Sequence, residues 1–104
     1  EASAVYVVIF RARIRELDED YVRWAARLRA LALERYGCLA FHATTEGADE
    51  VALSYWPDLD SIRRWKADAE HAQAQALGRS RWYSHYAVEI AEVQRHYDWS
   101  RATP

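Results

Sequence analysis

The first strand-forming run of the chain, Ala4 to Ile14 (AVYVVIFRARI), is apolar on both of its alternation sets. Val5, Val7 and Ile9 fall on one side and Tyr6, Val8 and Phe10 on the other, the pattern of a strand buried on both faces. A sheet built on such a strand needs two covers. One can come from helices of the same chain; the other must come from elsewhere.

The segments that follow supply the helices. Asp18 is a good N-cap, with Glu19 and Asp20 in the first turn where the helix dipole favours acids, and Leu17 can pack on Val22 as a hydrophobic staple. Tyr21, Trp24, Ala25, Leu28, Leu31, Ala32 and Arg35 follow 3.6-residue spacing, and Gly37 stands where a left-handed residue closes a helix. Cys38 to Thr45 (CLAFHATT) alternates as a second strand, Glu46 to Asp49 forms a Gly-containing turn, and Val51 to Trp56 (VALSYW) is its hairpin partner. Pro57 and Asp58 stop that strand and cap a second helix, whose apolar stripe is Ile62, Trp65, Ala69, Ala72 and Ala76 and whose end is Gly78. Arg79 to Trp82 reads as a connection or one more helical turn. Tyr83 to Tyr97 reads as the last strand, with Tyr86, Val88 and Ile90 at period two and Val93 out of phase, which predicts a β-bulge.

The order βαββαβ predicts an α+β, ferredoxin-like fold: a four-stranded antiparallel sheet with two helices on one face. Those helices leave the other face open, so the two-sided first strand predicts a homodimer in which a second copy buries it. A single domain is expected over residues 4–97 with a C-terminal tail at 98–104, and Glu1 to Ser3 are set aside from the fold reasoning. The chain length of 104 residues suffices for a core without metal or disulfide support.

Charge and composition narrow the partners. A net charge of -2 offers no basic field for a phosphate backbone, so no nucleic-acid partner is expected. Arg23, Arg27 and Arg29 alternate with apolar positions and read as a solvated helix face. Cys38 is alone, which rules out an intrachain disulfide and a cysteine zinc set and makes a cytoplasmic location the expectation. His42, His85 and His96 lack the paired spacing of a metal site, and Cys38 reads as a small buried residue. No segment approaches the roughly 18 apolar residues that span a bilayer, and no charged leader with a cleavage site is recognisable, so no membrane partner is expected.

Candidate chemistry concentrates in Ser54 to Tyr86, which holds three of the five Trp, two of the four His and three of the seven Tyr. Trp56 and Trp65 form a W-x8-W pattern, followed by KADAEH and then RWY. With the SYW strand end, the WKADAEH helix and the GRSRWY exit, this resembles the antibiotic biosynthesis monooxygenase (ABM) family over about Val5 to Tyr97. The resemblance implies a dimeric α+β barrel with two sheets packed face to face, in agreement with the two-sided first strand.

The family includes cofactor-free oxygenases of quinols and anthrones, haem-degrading enzymes and members of unknown activity. The cofactor-free branch implies a pocket lined by a Trp of the second helix and a polar side chain six residues later, here Trp65 and His71. His71 is then the candidate general base, because its unperturbed pKa near 6.5 allows a neutral, proton-accepting form at physiological pH. Asp68, three residues earlier, is the candidate partner that orients it. Tyr55, Trp82 and Tyr83 are candidate substrate-binding donors at the pocket rim.

The leading expectation is a cofactor-independent monooxygenase that oxidises a small electron-rich aromatic molecule with O₂, without cofactor or metal. The alternative is a non-catalytic small-molecule-binding or stress-related dimer. A haem-degrading monooxygenase comes third. That branch implies an Asn on the first strand, where this chain has Phe10, and a His about ten residues after Trp65, where it has Gln75, a poor ligand for haem iron.

Overall fold

The computed structural model describes residues 4–102. Its elements are β1 (Tyr6–Ile14), α1 (Glu19–Arg35), β2 (Ala40–Glu46), β3 (Asp49–Trp56), α2 (Leu59–Ala67), α3 (Ala69–Leu77), one π-helical turn (Gly78–Trp82) and β4 (Tyr83–Glu92). The sheet is antiparallel with strand order β2-β3-β1-β4. This is the α+β, ferredoxin-like arrangement that the element order predicts, with the second helix divided in two. Of the tail expected at 98–104, residues 103–104 lie outside the described residues.

Strand β1 occupies the middle of the sheet because both of its faces are apolar. It pairs with β3 from Tyr6↔Trp56 to Arg13↔Asp49 and with β4 from Tyr6↔Glu92 onward. By alternation, Val8, Phe10 and Ala12 face the helices together with Ser54, Ala52 and Glu50. The buried core on that side is Val8, Leu31, Ala32, Cys38, Trp56, Ile62 and Trp65. Trp56 is fully buried, and its indole N–H donates to Ser54 Oγ at 2.8 Å, so its polar atom is paired. Val7, Ile9, Val51, Leu53 and Tyr55 share the opposite face, where they are half-buried within the single chain.

The local signals act largely as expected. Asp18 Oδ1 accepts the Tyr21 amide at 3.0 Å and caps α1. Gly37 has φ +80 just past the end of α1, and Gly47 has φ +61 in the tight β2–β3 turn, conformations in which a Cβ is strained.

Four details differ. Leu17 and Val22 are 43% and 67% exposed, so the expected staple buries little. The second helix breaks at Asp68, whose extended backbone (φ -60, ψ 137) ends α2 and begins α3. The stripe beyond Trp65 is consequently not Ala69, Ala72 and Ala76, which are exposed, but His71 and Ala74. Finally, the register shift lies between Arg13 and Ile14, opposite the start of β4, whereas Val93 lies beyond the end of that strand.

Candidate active site

A chamber of about 360 Å³ lies between the helix-facing side of the sheet and α1, α2, α3 and the π-turn. Its wall is largely apolar and aromatic, and its ring contacts fall into two groups. In one, Trp65 packs on Trp56 (5.1 Å between centroids), Phe41 (6.2 Å) and His71 (4.4 Å). In the other, Phe10 meets Tyr83 (5.5 Å) and Tyr86 (5.6 Å), and Tyr21 meets Trp82 (5.4 Å). Among the described residues no ring contact joins the two groups, so the chamber has two distinct aromatic ends.

The break at Asp68 builds the first end. On an unbroken helix, six residues amount to about 600° of rotation and would carry His71 around the axis from Trp65. The extended residue between them resets the direction, and the imidazole lies edge-on to the indole at 76°. His71 is 8% exposed, and burial pushes its pKa down to about 4, helped by the charge of Lys66 and opposed by Asp68. The imidazole is therefore neutral at physiological pH. Both His71 Nδ1 and Trp65 Nε1 are sealed from solvent, without a hydrogen-bond partner among the described residues.

Asp68 does not orient that imidazole. Its Oδ2 accepts from Tyr36 Oη at 2.5 Å and its Oδ1 from the Glu70 amide at 2.8 Å, the bonds of a capping residue. The Tyr36 bond, followed by the Glu70 amide, holds its carboxyl below the usual range. The structure thus brings Trp65 and His71 together and commits the Asp68 carboxylate to the Tyr36 hydroxyl and the first turn of α3.

The remaining candidates divide. Tyr55 lies on the opposite face of the sheet, beside the ring of His42 at 6.5 Å, and does not line the chamber. Trp82 lines it with its ring, but its indole N–H is committed to Asp18 Oδ1 at 3.0 Å. Arg81 joins the same knot through Asp18 (2.6 Å) and Asp20 (2.9 Å), tying the π-turn to the start of α1.

Tyr83 is at the wall, packed so closely on Gly78 that a Cβ there would stand 3.1 Å from its ring. Its hydroxyl donates to Glu50 Oε1 at 3.2 Å, and Tyr21 Oη donates to the same oxygen at 2.7 Å. Burial raises both phenol pKa values, followed by the hydrogen bond to Glu50 for Tyr21 and by the Glu50 charge for Tyr83. Glu50 is 7% exposed and was not among the residues expected at the site. Its signal was present in the sequence, because Glu50, Ala52, Ser54 and Trp56 form the inward set of β3. Starting that strand at Val51 cut it off.

Gln75 and Lys66 also line the chamber, Arg29 stands at its edge over the Phe41 ring (5.9 Å), and Arg27 pairs with Glu70 on the surface (2.8 Å). Among the described residues no group of three or more His, Cys, Asp or Glu is placed to hold a metal ion, and no helix is long and apolar enough to cross a membrane. Cys38 is buried, which raises its thiol pKa.

A four-stranded antiparallel sheet of this order with its helices on one face is the fold of the antibiotic biosynthesis monooxygenases. SnoaB, a cofactor-independent oxygenase from Streptomyces nogalater, superposes with a TM-score of 0.75 over 88% of this chain and 95% of its own at 16% identity. A solved antibiotic biosynthesis monooxygenase does so with a TM-score of 0.72 over 86% of this chain and 99% of its own at 17% identity. No family model matches the sequence. The uncharacterized protein YqjZ of Bacillus subtilis is 37% identical over 91 residues, covering 86% of this chain and 80% of YqjZ. The chain belongs to the family of YqjZ, within the ABM-like fold family.

Proposed function

We propose that the protein is a cofactor-independent monooxygenase acting on a small electron-rich aromatic of the quinol or anthrone type. The observation that carries this reading is the contact of a neutral, buried imidazole with an indole on the wall of an apolar chamber. The chemistry resides in the substrate. An ionised, electron-rich ring passes one electron to O₂; the resulting superoxide and aryloxyl radical combine through a new C–O bond, and the hydroperoxide loses water to leave a carbonyl. For an anthrone, a CH₂ becomes C=O and the second oxygen atom leaves as water.

His71 would accept the proton released in the ionisation and return it to the departing hydroperoxide oxygen. A pKa of about 4 makes it a weak base on its own. The developing aryloxide beside it would supply the counter-charge that an isolated imidazolium lacks in this setting. Trp65, Trp82 and Tyr83 would wall the ring in and exclude water.

The same reading takes the open face of the sheet, with Val7, Ile9, Leu53 and Tyr55, as the interface with a second copy of the chain.

The test is O₂ uptake with a panel of quinols and anthrones, run aerobically and anaerobically. His71→Gln, which keeps a polar side chain of similar bulk in the buried position, should lower turnover of an accepted substrate by roughly 10²-fold or more. Wild-type rates in His71→Gln would remove the base assignment. No O₂ uptake by the parent with any of the panel would favour a binding protein over an oxygenase.

A further inference from the structure

The other end of the chamber holds a group for which this chemistry has no use. Glu50 is more than nine-tenths buried, yet none of the ion pairs among the described residues includes it. The cations nearest in sequence and register are spent elsewhere: Arg13 on Asp49 at 3.1 Å and Arg11 on Glu89 at 2.8 Å. A buried carboxylate without a counter-charge is costly unless hydrogen-bond donors compensate it. Two do, but Tyr21 and Tyr83 converge on one oxygen, Oε1. Among the described residues Oε2 has no hydrogen-bond donor, and it is not among the sealed polar atoms. Glu50 lines the chamber together with the rings of the second aromatic group, Phe10, Tyr21, Tyr83 and Tyr86, which suit the flat body of an arene.

We propose that Glu50 Oε2 is a ligand-binding acceptor, and that the chamber selects aromatic molecules presenting a hydroxyl donor to it. Tyr21 and Tyr83 are positioning residues that hold the carboxylate by its other oxygen. The proposal concerns binding and stands apart from oxygenation. Where the oxygenase reading also holds, the substrate carries two polar groups, one reacting at the Trp65–His71 end and one anchored at Glu50.

The test is anaerobic titration with 2-naphthol and 2-methoxynaphthalene, followed by quenching of tryptophan fluorescence. The two probes share an arene and an acceptor oxygen and differ in the donor. A hydrogen bond to a buried carboxylate should make the parent prefer the naphthol by roughly tenfold or more. In Glu50→Gln the amide oxygen can keep both tyrosine bonds while the amide NH₂ replaces Oε2. The preference should then fall to within about threefold, because either probe can accept from that NH₂.

Equal binding of the two probes by the parent, or an undiminished preference in a folded Glu50→Gln, would overturn the proposal. So would the absence of saturable naphthol binding. Should Glu50→Gln fail to fold, Tyr83→Phe carries the test. It leaves the carboxylate in place with one positioning bond gone, so the preference should persist but weaken, and an unchanged preference would count against the arrangement. Failure of O₂ uptake with the hydroxyl preference intact would remove the oxygenase reading and leave this site standing.

Discussion

At the scale of single residues, the depressed pKa of His71 ties stability to pH. Its folded value of about 4 lies below the unperturbed value near 6.5. As pH falls below 6.5 the unfolded chain binds a proton that the folded chain refuses, so stability is lost between those two values and the loss levels off below about 4. The full effect is roughly 3 kcal/mol, of which about 2 kcal/mol falls between pH 7.5 and 5, above the range in which ordinary carboxylates titrate. Urea unfolding at fixed protein concentration should show that decline in the parent and a nearly flat profile over the same window in His71→Gln. Equal slopes would mean that the imidazole is not held neutral. The same burial accounts for what the sequence could say about this side chain. Its place six residues after Trp65 marks it as a candidate, but only the packed structure supplies the desolvation that sets its protonation state.

At the scale of elements, the break at Asp68 is the device that makes the site, and a period count could not see it. Ile62 and Trp65 establish a stripe that extrapolates smoothly to Ala69, Ala72 and Ala76, and nothing in 3.6-residue spacing reports an extended residue in the middle. The signal lay in capping chemistry: Asp68 followed by Glu70 repeats the start of α1, where Asp18 is followed by Glu19 and Asp20. The element order, the left-handed Gly37 and the Gly-containing β2–β3 turn were legible because each follows from alternation, capping or turn geometry. Glu50 is missed by a strand boundary set two residues late, and Tyr55, expected as a donor at the pocket rim, lies on the open face of the sheet.

The capping role has a consequence for mutation. Asp68→Ala should destabilise the fold by about 1–2 kcal/mol through loss of the cap, whereas Asp68→Asn, which can still cap, should leave stability and any turnover within a few-fold of the parent. Denaturant titration and rate measurements check the two halves separately. A collapse of turnover in a stable Asp68→Asn would restore the carboxylate to a part in catalysis.

At the scale of the whole molecule, the open face of the sheet is the feature that a single chain leaves unfinished. Ile9 and Leu53 sit opposite each other in the β1–β3 register on that face. If a second copy covers them, Ile9→Lys combined with Leu53→Glu should convert a dimer into a monomer in sedimentation velocity at micromolar concentration, with the helix-side chamber still able to take up an aromatic probe. A parent that already sediments as a monomer would exclude the dimer. The central position of β1 has a further effect during synthesis. Among the described strands β1 precedes both of its neighbours, Asp49–Trp56 and Tyr83–Glu92, so its second edge stays unpaired until the segment through Glu92 has left the ribosome. Until then the most apolar strand of the protein is an open edge, the template on which another nascent chain can pair. Stop codons and pauses ahead of Tyr83 should therefore harm this protein less by removing part of a site than by releasing chains prone to aggregate.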